Sequence, residues 1–160
     1  MSTTPPIRVL VADDHKLFAE TLGLALDADP RLNVVGYAYD GREAVKLTLA
    51  LEPDVVLMDL DMPLVDGIEA TRVISRSLNS RVAVLTASPF PEDSLRAREA
   101  GAAAYLTKGC SAQEVADAVL ELATPADPRR KEVTRGERGV REAFAGLPHD
   151  LLQFRARLAH

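Results

Sequence analysis

The amino-acid sequence predicts an α/β fold, a doubly wound sheet of parallel strands with helices on both faces. Two observations carry this expectation. Short apolar runs alternate with helical patterns five times between Ile7 and Ala123, and parallel strands need helical crossovers of this kind, which return right-handed to the same sheet. The runs also end alike: Ile7–Ala12 in Asp13 and Asp14, Val55–Met58 in Asp59, Val82–Leu85 in Thr86, and Ala103–Thr107 in Lys108. Ligands of open α/β sheets bind in the crevice beyond the carboxyl ends of the strands, so an acid pair, an acid, a hydroxyl and an amine would gather at one edge.

Each element has its own signals. After Asp13-Asp14, the segment from His15 to Asp29 places Phe18, Leu22, Ala25 and Leu26 at i, i+4, i+7 and i+8, one face of an amphipathic helix that Pro30 closes. Leu32–Tyr39 reads as the second strand and Asp40-Gly41 as a turn. Arg42–Leu51, with Ala44, Val45, Leu47 and Leu51 apolar, is the next helix. Val55–Met58 is short, aliphatic and β-branched, a strand buried on both faces. Pro63 then marks a loop, Asp66-Gly67 a turn, and Ile68, Val73, Ile74 and Leu78 a third helix. Ser88-Pro89-Phe90-Pro91 is a loop before a helix over Glu92–Ala100, with Gly101 as its C′ residue. Ser111-Ala112-Gln113-Glu114 is a capping box opening a helix with Val115, Ala118, Val119 and Leu122 inward.

Composition bounds the rest. A chain of 160 residues, 47% hydrophobic, holds one well-buried domain and a short appendage. No run approaches the roughly 18 apolar residues of a membrane span, and the opening Met-Ser-Thr-Thr-Pro-Pro lacks the pattern of a signal peptide, so a cytoplasmic location is expected. Cys110 is the sole cysteine and reads as inert, while His15 has no second His or Cys near it to make a metal pair. Residues 1–123 hold 11 Lys/Arg against 19 Asp/Glu, whereas residues 124–160 hold 8 against 5. The basic tail suits a solvated helix face or a contact with the acidic body better than a nucleic-acid surface.

Taken together at the strand ends, Asp13, Asp14, Asp59, Thr86 and Lys108 make the sequence resemble a bacterial response-regulator receiver domain of the two-component systems, more narrowly the receivers of regulators with a LuxR-type DNA-binding output. The likeness covers roughly residues 7 to 123. It implies a five-stranded sheet in the order 2-1-3-4-5, with Asp59 as phosphoacceptor and Asp13, Asp14 and Asp59 as the Mg²⁺ site. It further implies that Thr86 and Lys108 are ligands of the phosphoryl group, that Thr86 and Tyr105 form the switch, and that a sensor histidine kinase is the donor. The domain would run over 1–123, followed by a linker over 124–133 that contains Arg129-Arg130-Lys131. A helical tail over 134–160 opens with the capping-box pattern Thr134-Arg135-Gly136-Glu137 and resembles the first half of a LuxR-type helix-turn-helix domain. No recognition helix follows before His160, so a degenerate or shortened output acting through protein contacts or a homodimer is expected, with DNA contact the alternative.

The chemistry explains why these groups belong together. Carboxylates ~4 Å apart repel by about 4 kcal/mol at an effective dielectric near 20. A hard divalent cation relieves this: Mg²⁺ takes oxygen ligands and keeps waters, and one or two carboxylates plus a phosphoryl oxygen can complete its shell. Lys108 adds a second positive charge, keeping Asp59 ionised and neutralising incoming phosphoryl oxygens.

Other readings compete. Asp13-Asp14 alone reads as a helix cap, Asp59 with Asp61 as a solvated turn, Thr86 as a cap, Lys108 as a surface lysine, and Tyr105 as a core aromatic. Val55–Asp61 also resembles the Asp-x-Asp nucleophile motif of haloacid-dehalogenase-like phosphatases, but in those enzymes the extra acidic pair comes late in the chain, whereas Asp13-Asp14 comes first. A receiver-like module that binds partners without phosphorylation is the third reading. The five intact site residues disfavour it, and two departures from the family pattern, neither of which removes a required group, keep it open: Asp61 adds negative charge two residues beyond Asp59, and Gly109 stands where proline is common after the lysine.

Overall fold

The computed structural model describes residues 4–123. The strands are β1 (Ile7–Ala12), β2 (Leu32–Ala38), β3 (Val55–Met58), β4 (Arg81–Thr86) and β5 (Ala104–Thr107). The helices are α1 (Lys16–Asp27), α2 (Gly41–Leu51), α3 (Gly67–Ser77), α4 (Pro91–Glu99) and α5 (Ala112–Ala123). All four strand pairings are parallel and the order is β2-β1-β3-β4-β5, as the resemblance implied. The expected linker over 124–133 and helical tail over 134–160 lie outside the described residues.

The pleat divides the core into two layers. Leu10, Ala12, Val56, Met58, Val82 and Val84 point to one face, under Val45 of α2, Ile68, Val73 and Ile74 of α3 and Ala97 of α4. Val9, Val11, Val55, Leu57, Ala83 and Leu85 point to the other, under Ala19, Leu22 and Leu26 of α1 and Val115 and Val119 of α5. Successive residues of β1, β3 and β4 therefore serve opposite layers, which is why these strands read as continuous apolar runs. At the sheet's edge, β5 is only partly buried.

Local signals set the helix ends. Asp40 and Asp66, read from sequence as turn residues, are the N-caps of α2 and α3, accepting from the Glu43 and Glu69 amides. Ser111 Oγ accepts from Glu114 N–H at 3.1 Å and Glu114 Oε2 accepts from Ser111 N–H at 2.8 Å, the capping box in full. Gly101, at φ +105°, ends α4: its N–H donates to Arg98 O and that of Ala102 to Ala97 O, a Schellman closure. One expectation is corrected on α1. Ala25 is exposed and Gly23 is buried in its place, because α1 turns its Ala19, Leu22, Gly23 and Leu26 stripe inward.

Candidate functional site

The carboxyl ends of β1, β3 and β5 build the site. Backbone ladders fix its frame: Asp13 N–H donates to Ala38 O and Asp59 N–H to Ala12 O, both at 2.9 Å, so each acid takes the position immediately beyond its strand. Lys108 N–H donates to Thr86 O at 2.9 Å, tying the end of β5 to that of β4. Lys108 Nζ then lies 2.7 Å from Asp13 Oδ2 and 3.3 Å from Asp59 Oδ2. Carboxylate oxygens of Asp13, Asp14 and Asp59 all come within 4.8 Å of one another.

Burial gives the three acids different characters. Asp13 is 2% exposed and Asp59 4%, whereas Asp14 is exposed. Burial, followed by the nearby charge of Asp13, pushes the Asp59 carboxyl up to about 6, and the charge and bond of Lys108 pull against that rise. Burial works against the Lys108 ammonium, yet its bond to Asp13 and the charge of Asp59 hold it above the ordinary lysine range. The cluster is thus a compact set of oxygen donors with more negative than positive charge. An all-oxygen set of this kind fits a hard cation: the 4.8 Å limit is close to the ~4.2 Å that trans ligands span in an octahedron with ~2.1 Å bonds.

The helix-cap alternative for the acid pair does not hold. The α1 N-cap is His15, without a side-chain cap bond, and Asp13 Oδ1 accepts from His15 N–H at 2.9 Å, one residue before the helix begins. Thr86 is fully buried at the end of β4, and its Oγ1 accepts from Ser88 N–H at 3.2 Å rather than bonding the carboxylates. Tyr105 stands on β5 against the core, half-buried, and its hydroxyl is shielded from solvent beside the Ser88 hydroxyl. Burial raises that hydroxyl's pKa, as does the charge of Asp93. The neighbouring Ser88 hydroxyl donates to Asp93.

The structure brings Asp13, Asp14, Asp59 and Lys108, each expected from the sequence, into one cluster, with Thr86 ending β4 and Tyr105 on β5. Not expected from the sequence is the Phe18 ring, whose centroid lies 4.6 Å from Lys108 Nζ. Periodicity marked Phe18 as a core residue, and only the fold reveals that its position on α1 faces the end of β5. Nor was a groove of about 360 Å³ expected, where Asp61, Asp66, Asp93 and Arg96 line the space between the loop after β3 and α4.

Comparisons with known proteins agree with this geometry. The family described as the response regulator receiver domain matches residues 9–120. The chain is 41% identical over 150 residues to the transcriptional regulatory protein LiaR of Bacillus subtilis (strain 168), an alignment covering 91% of this chain and 71% of that protein. It is 42% identical over 120 residues to the response regulator GacA of Pseudomonas aeruginosa, covering 72% of this chain and 55% of that one, about half its length. Among solved structures, the signal receiver domain of NarL from Mycobacterium tuberculosis superposes with a TM-score of 0.72 at 39% identity, covering 75% of this chain and 98% of that one. A match running from β1 into α5, with relatives of this identity, establishes that the chain belongs to the response regulator receiver domain family and is related to transcriptional regulators.

Proposed function

We propose that the chain is a phosphoacceptor switch: a sensor histidine kinase transfers a phosphoryl group to Asp59, and the change in the fold's surface that follows controls an output connected with transcription. The observation that carries this reading is the Lys108 ammonium shared between Asp13 and Asp59 inside a cluster of three carboxylates. Membership of a family whose relatives here are named as response and transcriptional regulators supports it. Asp13, Asp14 and Asp59 would hold Mg²⁺, which when bound supplies positive charge to the phosphoryl oxygens.

The chain's own residues do the rest. An oxygen of Asp59 attacks phosphorus as the bond from phosphorus to the donor's imidazole nitrogen breaks, and that nitrogen leaves with the bonding pair. Phosphoryl transfer proceeds through a loose transition state, so positioning and charge stabilisation matter most. Lys108 neutralises phosphoryl oxygens, and Asp13, buried and bonded to Lys108, orients the ammonium. Thr86 donates its hydroxyl to the acyl phosphate once it turns from Ser88, and Tyr105 follows inward. The phosphoryl contacts exist in only one of two states and therefore shift the population toward it. Residues 1–123 form the receiver in this reading, 124–133 a linker, and 134–160 a tail whose sequence resembles the start of a helix-turn-helix domain.

Incubation with acetyl phosphate and Mg²⁺, read by intact-mass spectrometry, tests the assignment. Wild-type chain gains one phosphoryl group and Asp59→Asn gains none. Equal labelling of the two would refute it, and steady turnover of phosphomonoesters would favour the phosphatase reading instead.

A further inference from the structure

Lys108 draws partners from three directions. Asp13 follows β1, Asp59 follows β3, and the Phe18 ring comes from α1, its centroid 4.6 Å from Nζ. The first two are the oxygens that the site's cation would also claim. A lysine held by carboxylates alone would lose its hold whenever those oxygens were engaged elsewhere. An aromatic face attracts an ammonium through its quadrupole and needs no carboxylate to do so. Phe18 is itself half-buried and packed against the layer under α1 and α5, so the ring is anchored on the core while offering a surface to the cation.

We infer that Phe18 is a positioning residue, an aromatic wall that keeps the Lys108 ammonium aimed at the acceptor oxygen of Asp59 when its carboxylate partners are occupied. The inference rests on the phosphoacceptor reading and adds to it a requirement for a π face at position 18. A leucine there would cover the lysine stem and fill much the same space without attracting the charge. A tyrosine would keep both ring and attraction.

The test uses the full chain with Phe18→Leu and Phe18→Tyr, each first shown to melt with a single transition. In metal-free protein, the ε-methylene protons of Lys108 carry an upfield ring-current shift in wild type and in Phe18→Tyr, and lose it in Phe18→Leu. With acetyl phosphate and Mg²⁺, Phe18→Leu is labelled roughly two- to fivefold more slowly, the factor that a partly exposed cation–π contact corresponds to. Phe18→Tyr keeps the wild-type rate. Labelling of Phe18→Leu at the wild-type rate, with Asp59→Asn still unlabelled, would overturn the inference and leave the phosphoacceptor reading standing. An unshifted Lys108 signal in the wild type would overturn it as well. Wild-type chain that takes no label would instead overturn the reading beneath it, and the inference with it.

Discussion

Asp59 is placed where an acid is uncomfortable: burial and the neighbouring Asp13 push its carboxyl up to about 6, against an ordinary value of 3.8. A raised pKa means that the folded chain binds this proton more tightly than the unfolded one. Its contribution to stability is therefore fully present below about pH 4 and is lost as pH rises through about 6. At pH 7 without divalent cation, Asp59→Asn is expected to stabilise the chain by about 1–2 kcal/mol in urea unfolding: the shift is already net of the opposing pull of Lys108, and screening by solvent at the site reduces it further. The gain should vanish at pH 4. Saturating Mg²⁺ should reverse the ranking, since the wild type gains binding energy that the variant lacks. Equal stability of the two chains at pH 7 in chelator would contradict this account of the site's electrostatics. Sequence alone named Asp59 and Lys108 because both end strands; it could not grade Asp13 as buried and Asp14 as exposed, which depends on the packing between β1 and α1.

Among the elements, the loop between β3 and α3 packs backbone to backbone against Asp59. Gly67 N–H donates to Leu60 O at 3.0 Å, and a Cβ at position 67 would stand 2.0 Å from Asp59 O and 2.7 Å from the Cα of Leu60. Both neighbours are backbone atoms, so an added methyl must displace the strand end that carries Asp59. Gly67→Ala is expected to cost about 1–3 kcal/mol of stability by chemical denaturation, the range for overpacking, and to slow labelling by acetyl phosphate more than the stability loss accounts for. An alanine variant with wild-type melting and labelling would show that the loop yields without disturbing Asp59. The Asp66-Gly67 pair was legible as a turn, and the Ser111 capping box was legible outright, because each is written within a few adjacent residues. The inward stripe of α1 was not: with Leu17, Phe18, Leu22, Leu24 and Leu26 all apolar, periodicity admits more than one face, and Leu17 and Leu24 remain 72% and 73% exposed.

Over the whole molecule, five parallel strands in the order β2-β1-β3-β4-β5 place β1 and β3 side by side at the centre, so acids far apart in sequence meet beyond adjacent strand ends. The fold class and the meeting of strand ends were legible in the sequence, while the strand order came only from the resemblance. Runs of β-branched residues announce buried parallel strands, and a polar residue at the end of each announces the crevice. Contacts between helices and strand ends, such as Phe18 on Lys108, follow no sequence period and emerged only from the fold. Asp59 is proposed as the acceptor over the other two carboxyls of the cluster, Asp13 and Asp14, and over Asp61 two residues on. Reduction of the acetyl-phosphate-treated chain with borohydride converts an acyl phosphate to an alcohol, and peptide mapping locates it. The account predicts homoserine at position 59 alone; homoserine at 13, 14 or 61, or none anywhere, would contradict it.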